Sequence, residues 1–530
     1  MEYVKPLSRK MRILYSGSFL KEGLVKVGHT VFPFGMDKNV SVSQVISLKS
    51  YDPDIVLLEI WGTTQLPKDL HLCNHRIVAY CIDSCINEFF LKRLMLLFDD
   101  VFVDQISSVD VLRKNGIRAK WLPLCVSEGM FRGDQEKKHD VVFVGRLTEY
   151  RRKRLKLLSY LKDHCSLSRF ENVSVAEMQD IFSESRIVLN ENLFSGLTYR
   201  VLQGLASGSL VLTEDGGAGV GQHFKHGQHL ACYTHDSVVN QIRKIKADPD
   251  YWEQVARQGQ RLCRERHTSA ARAAELITHL ERRSAFNTRR DADQRQLAEA
   301  QAKYAQCQRF GGDYGDALKL AVPVAARSNA TGVKSSEFIG TVYARNGKID
   351  QAKRYLLRCI ERQGGLFGAI TLALMFLHHN DLESARRGFG IASRLTPIKY
   401  VDAKRALLAI SESTGNCSEV YLVLAKLYYD MGIVFDPGFL KQYQEIYPEY
   451  ALEFAKLAWA EEKTRDCLEM FMLCAKKMNL EHEVFDYLKE SIAFGLADDH
   501  VIAYASEIAM RNYDFSQAKM IAEALRRSLR

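Results

Sequence analysis

Six basic side chains follow the end of one apolar segment. In "VVFVGRLTEYRRKR" the apolar residues stop at Gly145, and six of the next eleven residues are basic: Arg146, Arg151, Arg152, Lys153, Arg154 and Lys156. Guanidinium groups beside the N–H groups at the start of a helix bind anions, and a diphosphate suits them well. We predict that Gly145, Arg146 and Arg154 contact such a ligand. A solvated basic first turn is the alternative.

A second segment, from Arg200 to Gly221, is rich in small residues. Its sequence, "RVLQGLASGSLVLTEDGGAGVG", predicts a short helix, an apolar strand and a glycine-rich turn. Small residues let the helix lie close against the sheet. Glycines in the turn let the backbone approach a ligand without a Cβ in the way. Gly216 and Gly217 are therefore predicted ligand contacts, and an ordinary flexible loop is the alternative.

Apolar strands alternate with helical stretches up to about residue 280. The runs "MRILYSGS", "DPDIVLLEIWG", "RIVAYCIDS" and "DDVFVDQ" lie in the first part, and the pattern restarts at "HDVVFVGRL". This alternation predicts two parallel sheets, each covered by helices on both faces. We place one Rossmann-like domain at residues 1–135 and a second at residues 136–282. Open parallel sheets bind ligands beyond the carboxyl ends of their strands, so two such ends facing each other form a deep cleft.

From about residue 295 to the end the pattern predicts helices alone, and it repeats. "GGDYGDALKLA" resembles "NGKIDQAKRYL", "HNDLESARRGF" and "TGNCSEVYLVL", and the anchors of these four segments lie 35, 33 and 35 residues apart: Ala317, Ala352, Ala385 and Val420. The spacing is close to the tetratricopeptide period, in which two helices and a tight turn form one unit. We predict a tetratricopeptide-like solenoid at residues 283–530, with a plain helical bundle as the alternative.

The composition is that of a soluble globular protein. Of the 530 residues, 47% are hydrophobic and 26% are charged, and no apolar run reaches the roughly eighteen residues of a membrane span. The 12 cysteines are scattered through apolar segments, which fits reduced thiols, and we predict a cytoplasmic location. A formal net charge of +9 suits small anionic ligands, and we expect no nucleic-acid partner.

Five ordered motifs in the first 280 residues resemble the two-domain glycosyltransferases of the GT-B architecture, in particular the spore-maturation (CgeB-type) group. The similar stretches are "VGHTV", "CIDSCINEFF" continuing to "GIRAKWLPLCV", "HDVVFVGRLTEYRRKRLKLL", "IVLNENLFSGLTYRVLQGLASGSLVLTE" and "VARQGQRLCRERHTSAARAAEL". The resemblance implies a nucleoside-diphosphate sugar, either a UDP- or a GDP-sugar, as the donor substrate. It implies no tightly bound cofactor.

The resemblance also assigns three donor-site residues. Arg200 stands where the family has an arginine and is the predicted phosphate contact, with a salt bridge across the domain as its alternative role. The family's asparagine is Thr198 here, and its glutamate, which commonly hydrogen-bonds the ribose, is Gln203. A glutamine still donates and accepts hydrogen bonds but carries no charge, which bears on donor preference and affinity.

Sugar transfer needs stabilisation of the negative charge that develops on the leaving diphosphate. Arg, Lys and a helix N-terminus provide it without a metal ion, and we predict no metal site. A general base would come from a strand end of the N-terminal domain, where Asp83 in "CIDS" and Glu59 in "LLEIWG" qualify. Asp83 is preferred because the resemblance passes through it, and capping of the following helix is its alternative role. A retaining reaction needs no such base, and the sequence is compatible with inversion and retention.

Together these features predict a bacterial, cytoplasmic, metal-independent glycosyltransferase whose helical repeats recruit a protein acceptor, such as flagellin or another surface protein. Docking on the repeats would raise the effective concentration of the modified side chain. Residues 1–290 alone are then expected to hydrolyse the donor slowly without modifying the acceptor. The alternatives are a non-catalytic scaffold with a degenerate transferase domain, a transferase of polysaccharide assembly, and repeats that mediate self-association. The oligomeric state is left open.

Overall fold

Two sheets come first along the chain, and helices follow. The computed structural model describes residues 9–48, 50–148, 151–192, 196–214, 218–282, 291–413, 416–434, 448, 450–478 and 481–528. None of the helices in these ranges combines the length and the apolar character that crossing a membrane requires.

The first sheet has six parallel strands in the order β2-β1-β3-β4-β5-β6. Alternate side chains enter two cores, one on each face: Ile13 and Leu57 face one, and Leu14 and Val56 face the other. Both faces are covered, which explains the uninterrupted apolar sequences of the central strands. The strands are β1 (Arg12–Ser16), β2 (Thr30–Pro33), β3 (Ile55–Ile60), β4 (Arg76–Cys81), β5 (Asp100–Val103) and β6 (Ala119–Trp121).

Short helices connect the strands of the first sheet. They are α1 (Lys21–Lys26), α2 (Val42–Leu48), α3 (Glu88–Leu94) and α4 (Ile106–Lys114), with 3-10 turns at Leu70–Leu72, Met95–Leu97 and Glu128–Met130. The register pairs Ile60 of β3 with Cys81 of β4, and Cys81 with Val103 of β5. The carboxyl ends of these three strands are therefore level, and the residues that follow them share one edge of the sheet.

The second sheet has five parallel strands in the order β11-β10-β9-β7-β8. Its strands are β7 (His139–Val144), β8 (Leu167–Phe170), β9 (Ser185–Asn190), β10 (Leu210–Glu214) and β11 (Ala231–Tyr233). Its helices are α5 (Arg152–Lys162), α6 (Val175–Ser183), α7 (Tyr199–Ala206), α8 (Ala218–Gly221), α9 (Val238–Ala247) and α10 (Pro249–Arg266). A Cβ on Gly204 of α7 would lie 2.7 Å from Val211 Cγ2, so the prediction that small residues let this helix pack close to the sheet is confirmed.

The chain crosses between the sheets twice, and the two crossings lie side by side. The backbone N–H of Val126 donates to His267 O at 2.9 Å, and that of Ser269 donates to Val126 O at 2.8 Å. Helix α11 (Ser269–Glu281) then returns to the first sheet, where Arg76 donates to Leu280 O at 3.0 Å. A core of side chains from both sheets closes this side of the cleft.

Everything described from residue 291 onward is helix or turn. Each of the four repeat anchors is buried within the first turns of a helix. The prediction of two parallel, helix-covered sheets followed by an all-helical region is thus confirmed, while the tetratricopeptide solenoid and the domain limits at residues 135 and 282 stay predictions. The helices are α12 (Ala292–Phe310), α13 (Gly315–Ala325), α14 (Ala330–Arg345), α15 (Ile349–Glu361), α16 (Leu366–His378), α17 (Leu382–Leu395), α18 (Val401–Ser413), α19 (Cys417–Asp430), α20 (Ala451–Glu461), α21 (Arg465–Met478), α22 (His482–Ala493), α23 (Asp499–Arg511) and α24 (Phe515–Ser528).

The helical region packs on both sheets. At its start, three alanines of α12 enter the core of the first sheet: Ala298, Ala302 and Ala305. At its end, Tyr513 between α23 and α24 is buried in the core of the second sheet, and Asp514 forms an ion pair with Lys156 of α5. This packing revises the expectation for residues 1–290 alone, because that fragment would expose part of each core to water.

Candidate functional site

A cavity of about 550 Å³ lies between the carboxyl ends of the two sets of strands. Asp83, which follows β4, lines it from the first sheet, and α7 and the start of α5 line it from the second. Of the residues predicted from the sequence, the cavity brings together Asp83, Gly145, Arg146, Arg154, Thr198, Arg200 and Gln203. It does not bring in Glu59, and Gly216 and Gly217 lie outside the described residues.

Arg200 is a partly buried cation whose hydrogen-bond partners are neutral groups. Its Nε donates to Val144 O at 3.0 Å, its Nη1 donates to Asn190 Oδ1 at 3.0 Å, and its guanidinium lies 4.6 Å from the centre of the Phe143 ring. Burial, and then the nearby Arg154 guanidinium, lower the pKa of Arg200 to about 9, so it stays charged at neutral pH. Within the described residues it forms no ion pair, so the salt bridge considered from the sequence is not observed.

Gly145 makes room for that guanidinium. It has a φ of +155°, and a Cβ built on it would lie 2.5 Å from Arg200 Nη2. No ordinary side chain leaves that space open. The glycine therefore lets the arginine lie across the end of β7, where it faces the cavity.

Arg154 has a different role from the other arginines of the basic cluster. Its Nε donates to Glu191 Oε2 at 2.9 Å, and its Nη1 donates to Arg146 O at 3.0 Å. The Arg154–Glu191 pair is almost wholly buried and stabilises the wall of the cavity. Glu191 balances the positive charge of Arg154. Arg146 is exposed, and Arg151 lies at the N-cap of α5; both line the cavity.

Two further cations of the cluster are engaged elsewhere. Lys153 forms an ion pair with Glu214, and Lys156 forms one with Asp514. Among the described residues that line the cavity, neither lysine is present. The positive wall therefore consists of Arg146, Arg151 and Arg200, with Arg154 behind it.

Asn190, at the end of β9, organises the second-sheet side and was missed from the sequence. Its Oδ1 accepts hydrogen bonds from Thr198 Oγ1 and from Arg200 Nη1, both at 3.0 Å. Its Nδ2 donates to Thr213 Oγ1 at 3.0 Å, so the amide itself is fixed. The signal was present in "VLNEN", where a buried parallel strand ends in an asparagine and two more polar residues follow it.

Gln203 lies one turn further along α7 and is almost fully buried, yet it lines the cavity. Within the described residues its side chain makes no hydrogen bond. Its amide group is therefore available to a ligand, both as a donor and as an acceptor.

Asp83 faces this positive wall from the first sheet. Its backbone has a φ of +54°, and its N–H donates to Asp104 Oδ2 at 2.9 Å. The N-cap of the following helix α3 is Asn87 and not Asp83, so the capping role is not observed. The carboxylate makes no hydrogen bond to another described residue and is open to the water of the cavity. Because protein surrounds it on the other sides and Asp104 lies near, the pKa of Asp83 is raised to about 6.

Glu59, the second candidate base, has a different environment from Asp83. It lies within β3 rather than beyond it and is fully buried. Its carboxylate accepts hydrogen bonds from the N–H groups of Ser18 at 2.7 Å and Phe19 at 2.9 Å, and from the Tyr15 hydroxyl. These contacts hold the loop before α1. Glu59 is not among the residues that line the cavity, and its role as a base stays a prediction.

An aromatic group borders the cavity between the sheets. Tyr199 of α7 lines it, and the Phe19 ring centre lies 5.1 Å from Tyr199 and 5.6 Å from Trp61. The described residues hold no group of three or more His, Cys, Asp or Glu side chains placed to bind a metal ion. The cavity thus combines arginines on one side, a carboxylate on the other and aromatic rings at its border.

Part of the chain matches a known family of sequences. Residues 134–278 match a model described as "Glycosyl transferase-like". The matched segment contains the second sheet and all of the cavity's arginines. Among curated proteins, none shows significant similarity to the chain.

Several solved structures are similar to about half of the chain and share little sequence with it. Sucrose-phosphate synthase from Thermosynechococcus elongatus has a TM-score of 0.40 and 10% identity, covering 52% of this chain and 99% of its own. Anabaena HepE in complex with UDP and glucose has a TM-score of 0.38 and 13% identity, covering 52% and 100%. A glycosyltransferase from Rickettsia africae has a TM-score of 0.38 and 11% identity, covering 52% and 98%.

Proposed function

We propose that the protein is a glycosyltransferase that moves a sugar from a nucleoside-diphosphate sugar to an acceptor. The observation that carries the proposal is Arg200, a partly buried cation that forms no ion pair within the described residues and faces a cavity between two sets of parallel strand ends. A charge that is partly withdrawn from water is stabilised by an opposite charge, so this site favours an anionic ligand. The family match of residues 134–278 supports the same conclusion.

In this proposal the diphosphate lies against the positive wall. Arg200, Arg146 and Arg151, with the N-terminus of α7, stabilise the negative charge that develops as the bond between sugar and phosphate breaks. Gln203 and Thr198 contact the nucleoside. The arginines supply the charge stabilisation that a metal ion would otherwise provide, so we propose a metal-independent reaction with either a UDP- or a GDP-sugar.

Asp83 is the proposed general base for an inverting reaction. With a pKa of about 6 it is mostly ionised at neutral pH, yet it is basic enough to take a proton from an acceptor hydroxyl as the new bond forms. It approaches from the sheet opposite the diphosphate, as an attack on the far face of the sugar requires. A retaining reaction would leave Asp83 dispensable.

We further propose that the acceptor is a protein, such as flagellin or another surface protein, that docks on the helical region in the cytoplasm. The region exposes large apolar side chains to solvent, among them Ile398, Phe494 and Met520. With a radiolabelled donor and a lysate of the source organism, protease-sensitive label would support a protein acceptor. Label that resists protease and remains with polysaccharide would favour polysaccharide assembly instead.

Donor turnover tests the main proposal. The purified protein is incubated with a panel of UDP- and GDP-sugars in EDTA, and mass spectrometry follows the release of the free nucleoside diphosphate. We expect one donor to be hydrolysed, Arg200→Ala to slow its release, and EDTA to leave the rate unchanged. Absence of turnover with every donor would favour the scaffold alternative. Turnover that EDTA abolishes and Mn²⁺ restores would overturn metal independence.

A further inference from the structure

One arginine of the helical region reaches the turn that carries Asp83. Arg309, in the last turn of α12, is buried, and its guanidinium lies 4.2 Å from the centre of the Phe90 ring. Its Nη1 donates to Asn87 Oδ1 at 2.9 Å and to Gly62 O at 3.0 Å. Asn87 and Gly62 belong to the segments that follow β4 and β3, at the edge of the sheet that faces the cavity.

Asn87 passes this contact on to Asp83. Its Nδ2 donates to Asp83 O at 3.0 Å. The fit around it is tight, because a Cβ on Gly62 would lie 2.3 Å from Asn87 Oδ1. Asp83 is thus held on both sides: Asp104 accepts from its N–H, and Asn87 donates to its carbonyl oxygen.

The conformation of Asp83 makes such bracing necessary. A φ of +54° lies in the left-handed region, which costs a non-glycine residue free energy and persists only where the surroundings enforce it. Asp104 and Ser84 stabilise one end of the turn from within the first sheet. Arg309 stabilises the other end from the helical region, more than two hundred residues later in the chain.

We propose that Arg309 is a positioning residue, which acts through Asn87 to hold Asp83 in the orientation required for proton transfer, so that the helical region forms part of the catalytic apparatus. This inference rests on the proposed role of Asp83 as general base. Arg309 itself does not line the cavity defined by the described residues. Removing Arg309 should therefore lower the rate of the chemical step and leave the affinity for the donor unchanged.

The same helix supplies a matched control. Arg295, near the start of α12, is equally buried, and its Nη2 donates to two first-sheet carbonyls, Leu70 O at 2.8 Å and Cys73 O at 2.9 Å. It docks α12 on the same domain with contacts of the same kind, but away from Asp83. Removing either arginine should weaken docking, whereas only Arg309 should affect catalysis.

The experiment compares the full-length wild type with Arg309→Ala, Arg309→Lys, Arg295→Ala and Asp83→Asn. Release of the nucleoside diphosphate from the UDP- or GDP-sugar that the donor panel identifies gives kcat and KM, and hydrogen exchange reports on the peptide spanning residues 82–88. We expect Arg309→Ala to lower kcat about 10- to 100-fold with KM changed less than threefold, and to speed exchange of that peptide. Arg295→Ala should leave kcat within twofold and the exchange unchanged. Arg309→Lys, which keeps the charge, should recover part of kcat.

The outcomes separate the role of Asp83 as general base from the role of Arg309 as positioning residue. If Asp83→Asn retains the wild-type rate with that donor, the proposed catalytic role of Asp83 fails. If the wild type hydrolyses no UDP- or GDP-sugar, the proposed function itself fails. If Asp83→Asn is impaired while Arg309→Ala matches Arg295→Ala in kcat and in exchange, only the positioning role of Arg309 is overturned. If Arg309→Ala does not fold, Arg309→Lys is compared with Arg295→Ala instead. A lower kcat and faster exchange in Arg309→Lys than in Arg295→Ala would support the positioning role, and equal values would overturn it.

Discussion

At the scale of single residues, Asp83 links stability to activity. Its pKa of about 6 exceeds the roughly 3.9 of an aspartate in an unfolded chain, so the folded protein holds the proton more tightly. Its contribution to stability is complete at low pH and is lost as the pH rises through about 6. Asp83→Asn cannot ionise. Its unfolding temperature should exceed that of the wild type at pH 8, by a margin that shrinks toward pH 4.5, as calorimetric scans can show.

The same substitution should have the opposite effect on turnover. A general base contributes about 10²- to 10⁴-fold, so Asp83→Asn should lose donor hydrolysis by at least the lower figure at pH 8. Wild-type turnover should rise with pH through about 6 as the carboxylate ionises. An active Asp83→Asn variant with an unchanged pH profile would show that the carboxylate is not the base.

Arg200 and Gln203 differ in what each offers a nucleotide. A hydrogen bond to a charged group contributes about 1.5–3 kcal/mol and a neutral one about 0.5–1.5 kcal/mol, so Arg200→Ala should weaken UDP binding more than Gln203→Ala. Isothermal titration calorimetry measures the affinity of each variant for UDP and shows which substitution weakens binding more. The reverse order would mean that Arg200 mainly supports Val144 and Asn190, and that Gln203 makes the stronger contact.

At the scale of elements, the end of β7 depends on Gly145. A Cβ there would displace the Arg200 guanidinium, so Gly145→Ala should lower the affinity for UDP about as much as Arg200→Ala does. Gly116→Ala is the control, because Gly116 also has a positive φ, of +75°, but has nothing within 4 Å of its Cβ position and does not line the cavity. Gly116→Ala should lower the unfolding temperature and leave the affinity for UDP unchanged. Equal affinity losses in both variants would point to general destabilisation.

The sequence predicted these elements better than the exact position of their ends. Asp83 and Glu59 each stand in a short polar interruption after apolar residues, so both qualified as strand-end carboxylates. Asp83 lies beyond β4 and faces the cavity, whereas Glu59 is still inside β3 and accepts hydrogen bonds from the loop before α1. A shift of one or two residues in a strand boundary decides between these two environments, and local sequence does not resolve it.

Contacts between segments far apart in the sequence could not be predicted from local sequence patterns, as the strands were. Strand pairing follows from apolar runs and connection lengths, and the arginines near Gly145 lie next to the strand end that they serve. Arg309 lies far from Asn87 in the sequence, and no local pattern connects them. Likewise, Tyr513 occupies a turn whose sequence gives no sign that its ring is buried in the second sheet's core.

At the scale of the whole molecule, the helical region connects the two sheets. Helix α12 packs on the first, while Tyr513 and the Lys156–Asp514 ion pair join the α23–α24 corner to the second. A chain that ends at residue 290 should therefore aggregate or lack a cooperative thermal transition, because both cores lose a part of their cover. Circular dichroism and limited proteolysis provide the measurement. A fragment that unfolds cooperatively and still binds UDP would show that the sheets fold without the helices.

The central claim is that the cavity between the sheets binds a nucleoside diphosphate through its arginines. Calorimetric titration of the full-length protein with UDP and with GDP, in EDTA and at two salt concentrations, tests it most directly. We predict saturable one-site binding of at least one nucleotide, weaker at higher salt and strongly reduced in Arg200→Ala. At a nucleotide concentration of one hundred times Kd, the folded state should gain about 2.7 kcal/mol. No binding of either nucleotide at millimolar concentration, or binding that Arg200→Ala leaves unchanged, would contradict the claim.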